Sequence, residues 1–320
     1  MSPGFFLIGL IFVVAGCIYL PYWLKTKDLK KIRLKNLPSE GSWAKLSKGN
    51  IYYRWHEPKE KNGQTIVMVH GFSTPSFVWK GLLSGLLNKG FSILVYDHYG
   101  RGFSERPITK YSLNFYVETL KELVSHLNID GKIHLVGYSM GGPIIGGFAD
   151  KYSDQVNSLS FIAPAGFGKV QTSIPFFMKI PGVIEWAMHV LADRFYGSAI
   201  SSETTHSNDP LSINEEEFQQ LFSFQMQFKG FRESLASTMR NFNLFDAREM
   251  FEKVAAKNIP SIAIWGDNDG IVSYKGAKTY SEIFQEGKVI TIEGGTHDIT
   301  YRQPSDVLEA IKIFLNSQVS

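Results

Sequence analysis

The sequence predicts an α/β fold with a mostly parallel sheet flanked by helices, and three observations support this. Short apolar runs of strand length alternate with helical patterns over most of the chain, the alternation stops for one long segment, and it then resumes. Buried strands separated by helices of this length form parallel sheets with right-handed crossovers. We therefore expect a single sheet that is interrupted once by an insertion.

The individual elements follow from these patterns in chain order. The body begins with an antiparallel β pair, at 43–46 and 50–55, joined by a turn at 47–49. Further strands are predicted at 65–70, 91–96, 133–138, 156–163, 260–265 and 288–292, and helices at 78–88, 113–127, 274–284 and 305–315. The predicted domains are an N-terminal transmembrane anchor (1–24), a basic linker (25–42), a core (43–165 and 257–320) and a helical cap (166–256).

The N-terminal segment predicts a membrane-spanning helix. From Pro3 to Leu24 the chain carries no charge and is rich in Phe, Leu, Ile and Val, and roughly 20 such residues cross a hydrocarbon core. A signal peptide would have basic residues before this run, whereas here they follow it: Lys25, Lys27, Lys30, Lys31, Arg33 and Lys35. The positive-inside rule then predicts a single-pass anchor and a cytoplasmic body. Two alternatives remain open, a lipoprotein cleavage site at Val14-Ala15-Gly16-Cys17 and a buried helix of a soluble protein.

The composition excludes several classes of protein. With 320 residues and 44% hydrophobic content, the chain can bury a large core and is not intrinsically disordered. The net charge of +3 comes mainly from the segment after the apolar run, so the body offers no basic face to nucleic acid. The single cysteine, Cys17, excludes an intramolecular disulfide, and no two histidines have metal-ligand spacing. We expect no metal and no other cofactor.

The residues around Ser139 predict a nucleophile. The apolar run that begins at Ile133 ends in Gly137-Tyr138-Ser139-Met140-Gly141, and Pro143 follows where a helix should begin. Flanking glycines permit a sharp strand-to-helix turn that exposes the serine hydroxyl, and proline is tolerated in a first helical turn. Because the N-terminus of a helix stabilises negative charge, the N–H of Met140 is expected to be one donor of an oxyanion hole.

From about Trp43 to its end, the chain resembles the α/β-hydrolase family. The resemblance rests on five motifs in the order of that family: His70-Gly71-Phe72, Asp97-His98-Tyr99-Gly100-Arg101-Gly102-Phe103-Ser104, Gly137-Tyr138-Ser139-Met140-Gly141-Gly142, Trp265-Gly266-Asp267-Asn268-Asp269 and Gly294-Gly295-Thr296-His297. It implies a triad in the chain order serine, acid, histidine. Within these motifs, His70 is expected to shape its turn and Arg101 to form a buried pair.

The remaining site residues follow from chemistry and from this resemblance together. A serine hydroxyl needs a base, and His297 is the candidate because it is the only one of eight histidines that follows the insertion. Two acids, Asp267 and Asp269, compete to orient it, and the resemblance favours Asp269. The resemblance also places the second oxyanion donor on the backbone N–H of Phe72.

The insertion and the anchor indicate the class of substrate. Large apolar residues are frequent in the insertion: Phe176, Phe177, Met178, Ile184, Trp186, Met188, Phe195, Tyr196, Phe218, Leu221, Phe222, Phe224, Met226, Phe228 and Phe231. Most should pack the cap onto the core, and some should line a cleft that suits an acyl chain.

Anchor, elbow and cap together resemble membrane-anchored monoacylglycerol lipases and related esterases. This implies a serine hydrolase that cleaves small-molecule carboxylic esters with a medium or long apolar acyl part. The reaction would proceed through an acyl-enzyme intermediate, beside the membrane that holds the N-terminal helix. Two alternatives share the fold: a C–C bond hydrolase of ring-cleavage products, and a non-catalytic ligand-binding protein.

Overall fold

The computed structural model describes residues 3–33, 35, 38–168, 180–191 and 208–318. These residues contain one sheet with eight strands: β1 (Ser42–Leu46), β2 (Gly49–His56), β3 (Thr65–Val69), β4 (Ser92–Tyr96), β5 (Ile133–Tyr138), β6 (Val156–Ile162), β7 (Ser261–Gly266) and β8 (Lys288–Ile292). The spatial order is β1-β2-β4-β3-β5-β6-β7-β8. Strand β2 pairs antiparallel with β1 and β4, and the other pairs are parallel. The predicted α/β fold with a mostly parallel sheet is confirmed.

Helices cover both faces of this sheet. The α-helices among the described residues are α1 (Pro3–Thr26), α2 (Lys80–Leu87), α3 (Leu113–His126), α4 (Gly141–Lys151), α5 (Val183–Val190), α6 (Glu215–Met226), α7 (Phe231–Asn241), α8 (Arg248–Ala255), α9 (Lys275–Ile283), α10 (Ile299–Arg302) and α11 (Pro304–Asn316). Helices α3, α4 and α8 pack together in one layer, and α2, α10 and α11 in the other. Side chains of the central strands, such as Val67, Leu94 and Leu135, are therefore fully buried.

One helix starts differently from its prediction. The pattern at 78–88 begins with a 3-10 turn, Ser76–Trp79, and only then continues as α2. The turn follows Pro75, and the N–H of Ser76 donates to the Asp97 carboxylate at 2.8 Å. That side-chain acceptor satisfies an N–H at the start of the turn, so the chain can enter its buried 3-10 turn without an unpaired donor.

The segment between β6 and β7 is helical in its described part. Helices α5 to α8 lie here, and within residues 180–191 and 208–256 no extended strand occurs. The last of them, α8, packs on α4, where a side chain at Gly146 would collide with Phe251. Of the predicted cap residues, Phe176, Phe177, Met178, Phe195 and Tyr196 lie outside the described residues.

Helix α1 and the linker after it lie against this helical segment. Within the described part of the chain, Gly4–Thr26 is the one helix that is long and apolar enough to cross a membrane, and its apolar window is 0% buried. The linker then forms a short β-bridge, in which the Lys30 N–H donates to Gln227 O at 2.9 Å and the Lys229 N–H donates to Lys30 O at 2.8 Å. The N-terminal residues are thus attached to the connection between α6 and α7.

Candidate active site

Ser139 occupies a strained turn between β5 and α4. Its φ is 52°, a left-handed conformation that side chains rarely adopt outside functional turns. Both flanking positions have room only for glycine. A Cβ at Gly137 would clash with the backbone of Gly141, and a Cβ at Gly141 would clash with the carbonyl oxygen of Val69. The turn therefore projects the serine hydroxyl beyond the carboxyl edge of the sheet.

The structure brings Ser139, His297 and Asp269 together. His297 Nε2 lies 3.0 Å from Ser139 Oγ, and His297 Nδ1 lies 2.8 Å from Asp269 Oδ2. The Asp269 side chain is 0% exposed and that of His297 is 12% exposed. An aspartate that accepts from Nδ1 leaves Nε2 as the proton acceptor for the hydroxyl.

The sheet explains this convergence. Ser139, Asp269 and His297 follow β5, β7 and β8, whose parallel strands end at the same edge. The Tyr138 hydroxyl also donates to the carbonyl oxygen of His297 at 3.1 Å, which ties the histidine loop to the strand that carries the serine. Residues far apart in the chain thus share one site.

The two competing aspartates differ in their surroundings. One oxygen of Asp269 accepts from the N–H groups of Ile271 and Val272, at 2.9 and 2.7 Å, while the other faces His297. Asp267, in contrast, is exposed. Of the two, only Asp269 contacts the imidazole.

The loop after β3 closely approaches the serine. A Cβ at Gly71 would lie 3.2 Å from Ser139 Cβ, so glycine allows the loop to come this near. The next residue is Phe72, and Met140 lies at the start of α4. Among hydrogen bonds between described residues, the backbone N–H of neither Phe72 nor Met140 has an acceptor. Neither N–H is therefore used by another described residue.

Two buried histidines, His70 and His98, hold the loop that follows β3. The His98 N–H donates to His70 Nε2 at 2.9 Å, and His70 Nδ1 lies 2.9 Å from the Gly71 carbonyl oxygen. Burial lowers the pKa of His98 to about 3 and holds the pKa of His70 well below its usual value. Both imidazoles therefore remain neutral near pH 7 and hold the backbone in place.

Polar side chains of the insertion also bind this loop. Gln225 of α6 donates to the Ser73 carbonyl oxygen at 2.7 Å and accepts from the Gly102 N–H at 3.0 Å. The buried Arg101 has neutral oxygens as hydrogen-bond partners, including the Phe72 carbonyl at 2.6 Å and Ser234 Oγ at 2.5 Å. Sequence reasoning missed Gln225, because one glutamine in an aromatic-rich helix gives no local signal of such a contact.

Comparison with known proteins identifies the family of the chain. Residues 60–303 match the family model Hydrolase_4, described as serine aminopeptidase, S33. The chain belongs to this family. It is a serine hydrolase with the α/β-hydrolase fold, and it resembles monoacylglycerol lipases, as its motifs predict.

The relatives of this S33 hydrolase have low sequence identity to it, but they match most of its length. Lipase 3 of Moraxella sp. (strain TA144) is 24% identical, with 94% of this chain and 93% of the lipase covered. Monoacylglycerol lipase abhd6-B of Xenopus laevis is 25% identical over 81% of this chain and 77% of the lipase. A thermophilic esterase from Thermogutta terrifontis has the same fold, with a TM-score of 0.71, 21% identity, and coverage of 88% of this chain and 100% of the esterase.

Proposed function

We propose that this S33 hydrolase is a membrane-anchored enzyme that cleaves carboxylic esters with apolar acyl chains through an acyl-enzyme intermediate. The observation that carries the proposal is the continuous contact from Ser139 Oγ through His297 to Asp269, at 3.0 and 2.8 Å. A hydroxyl with a base at hydrogen-bond distance, and a base held by a buried carboxylate, is the arrangement that nucleophilic catalysis needs.

Acylation uses each of these groups in turn. Ser139 Oγ bonds to the ester carbonyl carbon while His297 Nε2 takes the hydroxyl proton, and Asp269 stabilises the resulting imidazolium. The carbonyl oxygen becomes an oxyanion that accepts from the N–H groups of Phe72 and Met140. The bond to the alcohol oxygen then breaks, and His297 returns its proton to the leaving alcohol.

Deacylation repeats these steps with water. His297 takes a proton from a water molecule, which attacks the acyl carbon, and the same two N–H groups bind the second oxyanion. When the acyl–oxygen bond breaks, His297 returns the proton to Ser139. The products are a carboxylic acid and an alcohol, and the side chains regain their starting protonation.

Two features favour an apolar substrate. The insertion is rich in aromatic side chains, of which Phe218, Phe222 and Phe231 are buried in its packing, and a cleft beneath an insertion of this composition would suit an acyl chain. Helix α1 would anchor the enzyme once across a membrane, with the basic linker and the catalytic core on the cytoplasmic side and residues 166–256 as the cap. Two of the relatives bear the names lipase 3 and monoacylglycerol lipase, which favours the same class of substrate.

A fluorophosphonate probe tests the nucleophile. The full-length protein should be labelled in detergent, and Ser139→Ala should abolish both labelling and nitrophenyl ester hydrolysis, since loss of a triad serine lowers kcat by about 10⁶-fold in a comparable hydrolase. Ser281→Ala, which removes an exposed hydroxyl of α9, is the matched control and should leave both unchanged. Undiminished labelling of Ser139→Ala would refute the proposed role of the serine.

A panel of substrates tests which type of bond the enzyme cleaves. It should contain nitrophenyl esters and monoacylglycerols of increasing acyl length, aminoacyl nitroanilides, and dienoate diketones. We expect the highest kcat/KM for a medium or long acyl ester. Preference for nitroanilides would indicate an aminopeptidase, and preference for diketones a C–C bond hydrolase. Binding without turnover of any of them would indicate a ligand-binding protein.

A further inference from the structure

Helix α5 of the insertion packs directly on the apolar helix α1. Trp186 Nε1 donates to the carbonyl oxygen of Ile18 at 2.8 Å, and the rings of His189 and Tyr22 meet edge to face at 5.2 Å. The two contacts advance in the same direction along both helices, so α5 and α1 run parallel here. Residues that precede Trp186 therefore lie toward the N-terminal half of α1.

The contact with Ile18 indicates how deep α5 lies in the membrane when α1 spans it. Ile18 precedes the last residue of α1, Thr26, by two turns, or about 12 Å along the helix axis. A helix that crosses a hydrocarbon core of about 30 Å uses about 20 residues. The first charge after the apolar run is Lys25, so Ile18 lies roughly 10 Å inside the inner limit of that core when α1 spans it. The indole N–H of Trp186 then lies within the inner leaflet, and the preceding turn of α5 lies deeper.

Glu185 and His189 of α5 both contact side chains of α7. Glu185 contacts Arg240 of α7, and these side chains are 16% and 17% exposed. His189 is buried against Glu233, also on α7, at 3.1 Å. The second carboxylate oxygen of Glu185 accepts from the Gly182 N–H at 2.9 Å, so a backbone donor at the tip of α5 is also satisfied.

The outward side of the same region is apolar. Its exposed large hydrophobic side chains are Ile180, Val183 and Leu191, with 44%, 38% and 39% exposure. A soluble surface helix has the opposite arrangement, with charges outward and apolar residues inward. A paired Glu185, a satisfied backbone donor at the tip and apolar residues outside are properties expected of an element in contact with lipid.

We propose that α5 is a second membrane element, whose N-terminal tip (residues 180–183) enters the acyl region of the same leaflet that surrounds the C-terminal end of α1. The proposal rests on the proposed anchoring by α1. Its partner is the lipid bilayer, and the immersed tip continues the apolar surface of α1. The N-terminal end of α5 would then face lipid. Helix α7, which contacts α5, also contacts Arg101 beside the active site.

Single-cysteine fluorescence provides the test, because Cys17 is the chain's only cysteine and lies on the exposed surface of α1. The full-length protein is labelled in detergent with an environment-sensitive dye and reconstituted into phosphatidylcholine vesicles. One sample carries the dye on Cys17; others carry it after Cys17→Ser combined with Val183→Cys or Ile180→Cys. The matched control combines Cys17→Ser with Ile313→Cys, an exposed position on α11.

Quenchers of known location then report depth. We expect dyes at Cys17, Val183→Cys and Ile180→Cys to emit at shorter wavelength and to lose fluorescence with acyl-chain doxyl lipid, whereas the dye at Ile313→Cys is quenched by aqueous iodide. If Cys17 responds to the doxyl lipid and both α5 positions respond to iodide, the inference is overturned while the anchor stands. If Cys17 also responds to iodide, the anchor is wrong, and the immersion of α5 falls with it.

Discussion

The guanidinium Nε of Arg101 lies 2.6 Å from the carbonyl oxygen of Phe72. Arg101 is fully buried, and its other donors contact Ser234 and Thr238 of α7 at 2.5 and 3.2 Å. The contact holds the Phe72–Ser73 peptide, which is joined directly to the Gly71–Phe72 peptide whose N–H we assign to the oxyanion hole, and it links this loop to the insertion. We therefore expect the position of this donor to depend on a buried cation outside the triad.

Replacing this cation should reduce turnover more than binding. Arg101→Lys keeps the charge but loses the planar fork that reaches both Phe72 and α7. Because removal of an oxyanion donor costs about 10²-fold to 10³-fold in kcat, we expect a misoriented donor to cost about 10-fold or more, with little change in KM. Steady-state kinetics on a nitrophenyl ester measures both constants.

Arg106→Lys is the control for this prediction. Arg106 also donates to backbone carbonyls, those of Gly102 and Ser104, but it makes no contact with Phe72. Its replacement should disturb the same loop and leave kcat within a few-fold. Equal kcat values for the two variants, with thermal unfolding unchanged, would show that the Phe72 contact has no special role.

The two aspartates after β7 offer a paired test of the proposed acid. Asp269→Asn should lower kcat by about 10⁴-fold, because an asparagine at this position favours the wrong imidazole tautomer in a comparable triad. Asp267→Asn changes an exposed carboxylate and should leave kcat nearly unaffected. The reverse order of the two kcat values would transfer the role to Asp267.

Stability should fall with acidification. Burial lowers the pKa of His98 to about 3 and of His134 to about 4, whereas the unfolded value is about 6.5. Below about pH 6.5 the unfolded state therefore binds more protons, and the free energy of unfolding decreases until the folded pKa is reached, by up to about 1.4 kcal/mol per pH unit for each histidine. Urea unfolding at about pH 7 and about pH 5 measures the loss.

A pair of histidine variants identifies the source of this pH dependence. His134→Gln removes one buried imidazole and should make the difference between the two pH values smaller. His126→Gln removes an exposed imidazole near the end of α3 and should leave the difference as in the parent protein. If both variants show the parent's pH dependence, His134 does not contribute to it.

Much of this arrangement could be predicted because its causes are local. The glycines around Ser139 specify a turn, and the apolar runs specify strands whose carboxyl ends must share an edge. The local sequence does not decide whether Asp267 or Asp269 is the acid that orients His297. That depends on which carboxylate the turn buries, and the turn buries Asp269, which accepts from the N–H groups of Ile271 and Val272.

Contacts between distant segments could not be predicted in this way. Trp186 reaches Ile18 across 168 positions of the chain, and Gln225 reaches Ser73 across 152. Neither residue stands out from its neighbours in sequence, because Trp186 reads as one more apolar residue and Gln225 as a helical surface residue. What distinguishes them is a backbone carbonyl partner in a distant segment, which comes within reach only when the insertion is folded against the core and α1.

Gln225 allows the link between insertion and loop to be measured. Gln225→Met keeps the size of the side chain but leaves the Ser73 carbonyl and the Gly102 N–H without their partner, and each buried unpaired group costs about 1–3 kcal/mol. We expect the free energy of unfolding to fall by about 2 kcal/mol or more, and kcat to fall because Ser73 adjoins Phe72. Gln220→Met, an exposed position on the same helix, should change stability by less than about 0.5 kcal/mol. Equal stabilities of the two variants in urea would mean that the bonds of Gln225 do not hold the insertion to the loop.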